Sequence, residues 1–94
     1  MAVLRVGRRS RTPRMDIAWY PNDAGHPRLG LIVPRHGSTA VARNQLRRRL
    51  RELARRQVLP TLPALDLVLR SRPDAYQGTF DQLAGDLDAW RHSL

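Results

Sequence analysis

Apolar positions along this chain keep changing their spacing, and each change marks an element. In MDIAWY, residues 15–20, they alternate, with Met15, Ile17 and Trp19 on one side and Asp16, Ala18 and Tyr20 on the other, as in a half-buried strand. PNDAGHP is built of turn formers. RLGLIV, Arg28 to Val33, is apolar enough for a central strand, whose ladder Pro34 ends by removing a donor. These two strands are predicted to pair as a hairpin. RHGST is a loop in which Ser38 or Thr39 can cap a helix. From there the period becomes helical: Ala42, Leu46, Leu50 and Leu53 fall on one stripe of a 3.6-residue helix. Pro60 and Pro63 break that helix, and Leu65 to Arg70 reads as the next strand, so a helix between two strands implies a crossover onto a shared sheet. TFDQ, from Thr79, is a capping box opening a last helix whose core stripe is Phe80, Leu83, Leu87 and Trp90.

Residues 1–14, MAVLRVGRRSRTPR, lack such a period and read as a basic arm with one short ordered piece at Ala2 to Val6. The expectation is a single domain over residues 1–94, with the arm at 1–14 and a folded core at 15–94, of the α+β class with helices packed on a small sheet. A chain of 94 residues builds one core and no second. Its 41% hydrophobic and 27% charged content suits a folded protein. With no cysteine, disulfide scaffolds, thiolate zinc sites and cysteine nucleophiles are excluded, which fits a reducing, cytoplasmic setting. The longest apolar runs, LGLIV and LDLVL, fall far short of a bilayer span, and no membrane partner is expected.

Charge changes the picture most. Seventeen basic residues, all arginine, stand against eight acids for a net charge of +9. The absence of lysine reads as codon bias, arginine having filled every lysine role. Residues 1–56 hold fourteen arginines and three acids, residues 57–94 three arginines and five acids. A half so cationic draws in polyanions, and nucleic acid is the usual partner of a small domain with this asymmetry. The basic helix concentrates the effect: AVARNQLRRRLRELARR, Ala40 to Arg56, carries seven arginines and one acid. At 100° per residue, Asn44, Arg47, Arg48, Arg51 and Arg55 lie opposite the leucines, with Gln45, Arg49 and Arg56 on one flank and Arg43 on the other. Glu52 can pair with Arg48, Arg55 or Arg56, yet one carboxylate does not neutralise the face. An ordinary solvated face mixes signs, whereas this one needs an anionic partner. Arginine suits phosphate because its planar fork binds bidentately and stacks on bases. DNA is not expected, since a recognition helix of the helix-turn-helix kind follows another helix and this one follows a strand.

RLGLIVPRHGSTAVARNQLRRRLREL resembles the protein subunit of bacterial ribonuclease P, marked by a strand of the sense R-x-G-L, a loop, and A-V-x-R-N-R-x-K-R-x-x-R-E opening a helix. Arg28, Gly30 and Leu31 fit the strand; Ala40, Val41, Arg43, Asn44, Arg47, Arg48, Arg51 and Glu52 fit the helix, with arginine for lysine at 47. Gln45 stands where the signature has its second arginine, keeping a hydrogen-bonding group without the charge. LDLVLRSRP resembles the family's following strand, whose basic residue falls at Arg72. The resemblance implies a ribosomal protein S5 domain 2-like fold with a left-handed βαβ crossover, against the general right-handed rule. The implied order is αβββαβα, with the first helix abbreviated here to Met1–Val6 and Leu4 in place of one of that helix's cleft-lining aromatics.

The resemblance also implies a division of labour. The RNA subunit, with Mg2+ that it holds, cleaves the 5′ leader from precursor tRNA; the protein binds the ribonuclease P RNA and supports binding of the precursor. The implied RNA-binding residues are Arg43, Asn44, Gln45, Arg47, Arg48, Arg51 and Arg55, joined by Arg35, Arg8, Arg9 and Arg72. Tyr20 is placed on the sheet face away from the core, where leader bases can stack, while Trp19 is placed in the core. The sheet then carries the helix on one side and a substrate cleft on the other. The protein alone is expected to supply no catalytic residue, cofactor or metal site, to act as the accessory subunit of an endoribonuclease, and to be monomeric, one copy per RNA. Its side chains are compatible with that: His26, His36 and His92 are scattered, and Asp81, Asp86 and Asp88 fit the solvated face of the last helix. The alternative is a ribosomal or other structural RNA-binding protein with no part in cleavage, separable by whether it activates a ribozyme.

Overall fold

The most apolar strand takes the middle of the sheet. In the computed structural model, which describes residues 7–94, the order is β1 (Arg8–Arg11), β2 (Met15–Pro21), β3 (Arg28–Ile32), α1 (Ala40–Leu53), β4 (Leu65–Ser71) and α2 (Phe80–His92). The sheet runs β1-β2-β4-β3. β4 pairs antiparallel with β2 and parallel with β3. The predicted hairpin of β2 with β3 is therefore wrong: β4 separates them. LDLVL is buried on both sides, the requirement of an interior strand, whereas RLGLI is only half-buried and forms an edge. The parallel β3–α1–β4 unit is the expected crossover.

The basic arm also needs correcting, because Arg8–Arg11 is a strand paired antiparallel with β2, and the fold begins before residue 15. RRSR has no apolar residue, so hydrophobic spacing could not reveal it. Ladder bonds hold it, and the turn after it is closed by Thr12, whose hydroxyl bonds the Met15 backbone at 3.0 and 3.1 Å. The ordered piece predicted at Ala2 to Val6, and Leu4, lie outside the described residues.

Both helices lie on one face of the sheet. Met15 and Ile17 from β2 and Leu65, Leu67 and Leu69 from β4 meet Leu46, Leu50 and Leu53 of α1 and Leu83, Leu87 and Trp90 of α2. Each such side chain contributes about 1.5–3 kcal/mol by leaving water. Trp19 joins them, its ring edge-on to Trp90 at 5.3 Å. α1 starts at Thr39, which accepts from the Ala42 N–H. It runs on through a π-helical turn, Ala54–Val58, in which Ala54 and Val58 stay in the core, and a 3-10 turn, Leu59–Thr61, ends it. A further 3-10 turn, Pro73–Gln77, leads to α2, which opens with the expected capping box of Thr79 and Gln82.

Two expectations for α2 fail. Phe80 is 41% exposed, and the buried stripe begins at Leu83. Helical side chains lean toward the N-terminus, so a first-turn residue projects past the layer its helix packs on. Asp86 is buried rather than solvated. It shares the 3-4 spacing of Leu83, Leu87 and Trp90, and the partly buried Arg14 compensates it through its backbone N–H and its guanidinium, both at 3.1 Å.

Candidate nucleic-acid interface

α1 turns its leucines to the sheet and so must turn its arginines away. Asn44, Gln45, Arg47, Arg48, Arg49, Arg55 and Arg56 are exposed, and Arg51 is half-buried. Glu52 pairs with Arg56 at 3.0 Å across one helical turn. Among the described residues, the guanidinium groups of Arg47, Arg48, Arg49, Arg51 and Arg55 have no hydrogen-bond or ion-pair partner. Folding leaves their charge unanswered. Arg47, Arg51 and Arg55, one turn apart, form one wall of a groove of about 600 Å³ whose other wall is the edge strand, Arg28 to Leu31. On the next side Arg48, Arg51, Glu52, Arg55 and Arg56 line a shallower groove of about 210 Å³. Arg43, on the flank, is half-buried and donates from Nε to the Val33 carbonyl at 2.7 Å. Arg35 is exposed in the loop before the helix.

Among the described residues, no helix lies over the opposite face of the sheet. The register places Arg9 and Arg11 beside Ala18 and Asp16, then Val68 and Arg70, then Gly30 and Ile32. Arg9, Arg11, Asp16, Ala18, Val68 and Arg70 line a cleft of about 460 Å³, and Ile32 packs beside Ala18 and Val68 to make a small apolar patch. Asp16 pairs with Arg11 at 3.1 Å. Tyr20, 43% exposed, stands on this same face toward its other end, opposite Asp66. There Asp66 accepts a two-pronged bond from Arg28 at 2.7 and 2.9 Å and a third from Asn22 at 3.0 Å. Those bonds, Arg28's above all, hold the Asp66 carboxyl below its ordinary value against the contrary effect of burial.

The predicted site residues thus divide. Asn44, Gln45, Arg47, Arg48 and Arg51 gather on α1 and Arg55 on the π-helical turn that continues it, while Arg9 and Tyr20 belong to the bare sheet face. Arg8, opposite Trp19, lies on the helix side of β1 and is separated from Arg9 by the pleat. Arg72 is half-buried and bonds the Thr12 carbonyl at 3.0 Å, tying the end of β4 to the β1–β2 turn. Arg11 and Arg70 were missed by sequence reasoning. Arg70 was findable, because it alternates with the leucines of β4 and must face away from them. Among the described residues no three of His, Cys, Asp or Glu gather so as to hold a metal ion, and no helix is long and apolar enough to cross a membrane.

Comparison with known proteins matches this geometry to one family. The Ribonuclease P family model matches residues 1–94. The ribonuclease P protein component of Thermus scotoductus is 37% identical over 84 residues, covering 89% of this chain and 49% of its own. That of Photobacterium profundum is 37% identical over 93 residues, covering 98% of this chain and 78% of its own. The chain thus spans about half the length of the Thermus relative. In fold it is similar to the RNase P protein from Thermotoga maritima in complex with 1-(4-fluorophenyl)-2-thiourea, with a TM-score of 0.87, 22% identity, and 99% of this chain and 91% of that one covered. By the family match along its whole length, and by the likeness of its relatives, this chain belongs to the ribonuclease P protein component family.

Proposed function

We propose that this chain is the protein subunit of a ribonuclease P ribonucleoprotein, binding the catalytic RNA through α1 and assisting removal of the 5′ leader from precursor tRNA. The observation that carries the reading is the row of unpartnered arginines on α1 in a chain of this family. Their charge is fixed at any physiological pH and is not consumed by folding, so it is available for phosphates. If the face neutralises about four phosphates, the logarithm of affinity should fall against the logarithm of salt with a slope of about −3. The bare sheet face supports the second half of the reading. Arg9, Arg11 and Arg70 supply cations at one end, the Ala18–Val68–Ile32 patch accepts the flat of a base, and Tyr20 offers a ring for stacking. The two faces point opposite ways, so both RNAs can be held at once. In this reading the Mg2+ belongs to the RNA, and the complex works in the cytoplasm with one protein per RNA.

The test is cleavage of precursor tRNA at low magnesium by a bacterial ribonuclease P RNA, with and without the protein, beside the protein alone. Cleavage is expected only in the mixture. Arg9→Ala with Arg70→Ala should weaken binding of precursor tRNA while leaving mature tRNA unaffected. A mixture no more active than the RNA alone, formed by a protein that still binds RNA, would favour a structural RNA-binding role instead.

A further inference from the structure

The loop between β3 and α1 holds a strained turn supported from outside. His36 and Gly37 have φ of 49° and 84°, and the Ser38 N–H donates to the Arg35 carbonyl at 2.8 Å. Positive φ at both central positions is the primed kind of β-turn. Glycine adopts it freely and histidine does not, so the turn persists only if its surroundings enforce it. They do so with side chains from distant parts of the sequence. Tyr76, on the 3-10 turn before α2, donates its hydroxyl to the Pro34 carbonyl at 2.6 Å. Its ring meets the His36 imidazole edge-on, centroids 6.5 Å apart, and His36 Nε2 donates to the Ser71 carbonyl at the end of β4, at 3.3 Å. From the helix side, Arg43 holds the Val33 carbonyl.

These contacts hold the backbone on both sides of Arg35. Arg35 is the first residue of the turn, exposed, close before the start of the arginine helix. A loop arginine left to itself sacrifices chain and side-chain freedom whenever it grips a phosphate, and a corner already set reduces that loss. We propose that Tyr76 is a positioning residue for RNA binding, acting through Arg35: by locking Pro34 and His36 it aims Arg35 at a phosphate of the RNA that lies along α1. The proposal rests on the RNA-binding reading above and adds to it a residue that touches no RNA and lies outside the matching motif.

The experiment is a double-mutant cycle on the full chain, with a bacterial ribonuclease P RNA as the probe and affinity read across a range of salt. Tyr76→Phe removes one hydroxyl and no charge. It should nevertheless weaken binding roughly fivefold and flatten the salt slope as Arg35→Ala does, by about 0.7–0.9. In the Arg35→Ala background the same change should have no further effect, whereas in the Arg56→Ala background it should act in full. Binding by Tyr76→Phe equal to the wild type, or equal weakening in both backgrounds, overturns the proposal. Should Tyr76→Phe fail to fold, Gly37→Ala serves in its place, since an added Cβ meets nothing within 4 Å and disturbs only the left-handed backbone. If instead the wild type binds no RNA, or Arg47→Ala, Arg48→Ala and Arg51→Ala together leave binding intact, the RNA-binding reading fails and not this addition to it.

Discussion

α1 and α2 are close in length, both start from a threonine cap and both pack leucines on the same face of one sheet, yet they use their charges in opposite ways. Two of the three acids of α2 serve the fold: Asp86 holds Arg14 in a largely buried pair, and Asp88 pairs with Arg91, which also reaches the Gln57 carbonyl. The arginines of α1 serve nothing inside the described protein, Arg43 and the Glu52–Arg56 pair apart. Like charges at helical spacing cost stability, so the outer face of α1 works against the fold that its leucines support. On the proposed function, the contrast separates a helix that holds the protein together from one that the protein holds out to RNA.

The sharpest way to break the contrast is to remove charge from α1. With Arg47, Arg48 and Arg51 all changed to alanine, affinity for RNA should fall about a thousandfold, given that charge-assisted bonds are worth about 1.5–3 kcal/mol each and do not add fully. The salt slope should flatten in step. Stability should move the other way, with a melting temperature unchanged or raised, because repulsion is relieved and alanine is the better helix former. Filter binding and thermal melts on the same variant read both signs. A triple variant that loses stability along with affinity would show that these arginines do hold the fold, and the contrast would collapse.

The reverse change on α2 should have the reverse profile. Asp86→Ala removes the acceptor for both the Arg14 backbone and its guanidinium, leaving a partly buried cation alone, at a cost of about 3 kcal/mol. That loss appears in chemical denaturation, with no change in the denaturant slope. RNA affinity, measured where the variant is still folded, should keep the wild-type salt slope. A flattened slope would mean that the Arg14 region itself touches RNA.

The same contrast explains what could be read in advance. The leucine stripe of α1, the strand MDIAWY, the capping box at Thr79 and the opposite fates of Trp19 and Tyr20 all follow from periodicity and local chemistry, and each is present. So was the arginine face, since the helical period and the charges lie in one short stretch. What was not legible is what depends on chain segments meeting from afar. β1 is a strand with no apolar residue, made by the backbone of β2. The position of β4 between β2 and β3 is a choice among pairings that local spacing leaves open. Asp86 looks solvated until Arg14, far back in the chain, arrives beside it. The candidate cleft on the bare sheet face is illegible for the same reason, its arginines coming from β1 and β4.

The smallest expected effect tests whether an acid in the bare face belongs with α2 or with α1. Asp66, on β4, is gripped by both prongs of the Arg28 guanidinium and by Asn22. Arg28's hydrogen bonds are the larger influence, lowering the Asp66 pKa and raising that of Arg28. A carboxyl whose folded pKa lies below its unfolded value of about 3.9 contributes stability that is fully present above that value. The contribution is lost as pH falls through the folded pKa. Asp66→Asn should therefore melt below the wild type by a constant margin from neutral pH down to about 4, with the two curves converging under more acid conditions. The margin should be modest and should shrink in high salt, because Arg28 is exposed and water screens the pair. Melting curves of both proteins across that pH range decide the matter. Convergence places Asp66 with the acids that serve the fold, although it sits on the face proposed for RNA. A margin that persists in acid would locate its effect in the Asn22 contact and the turn it closes, leaving Arg28 free to act as one more cation for the RNA.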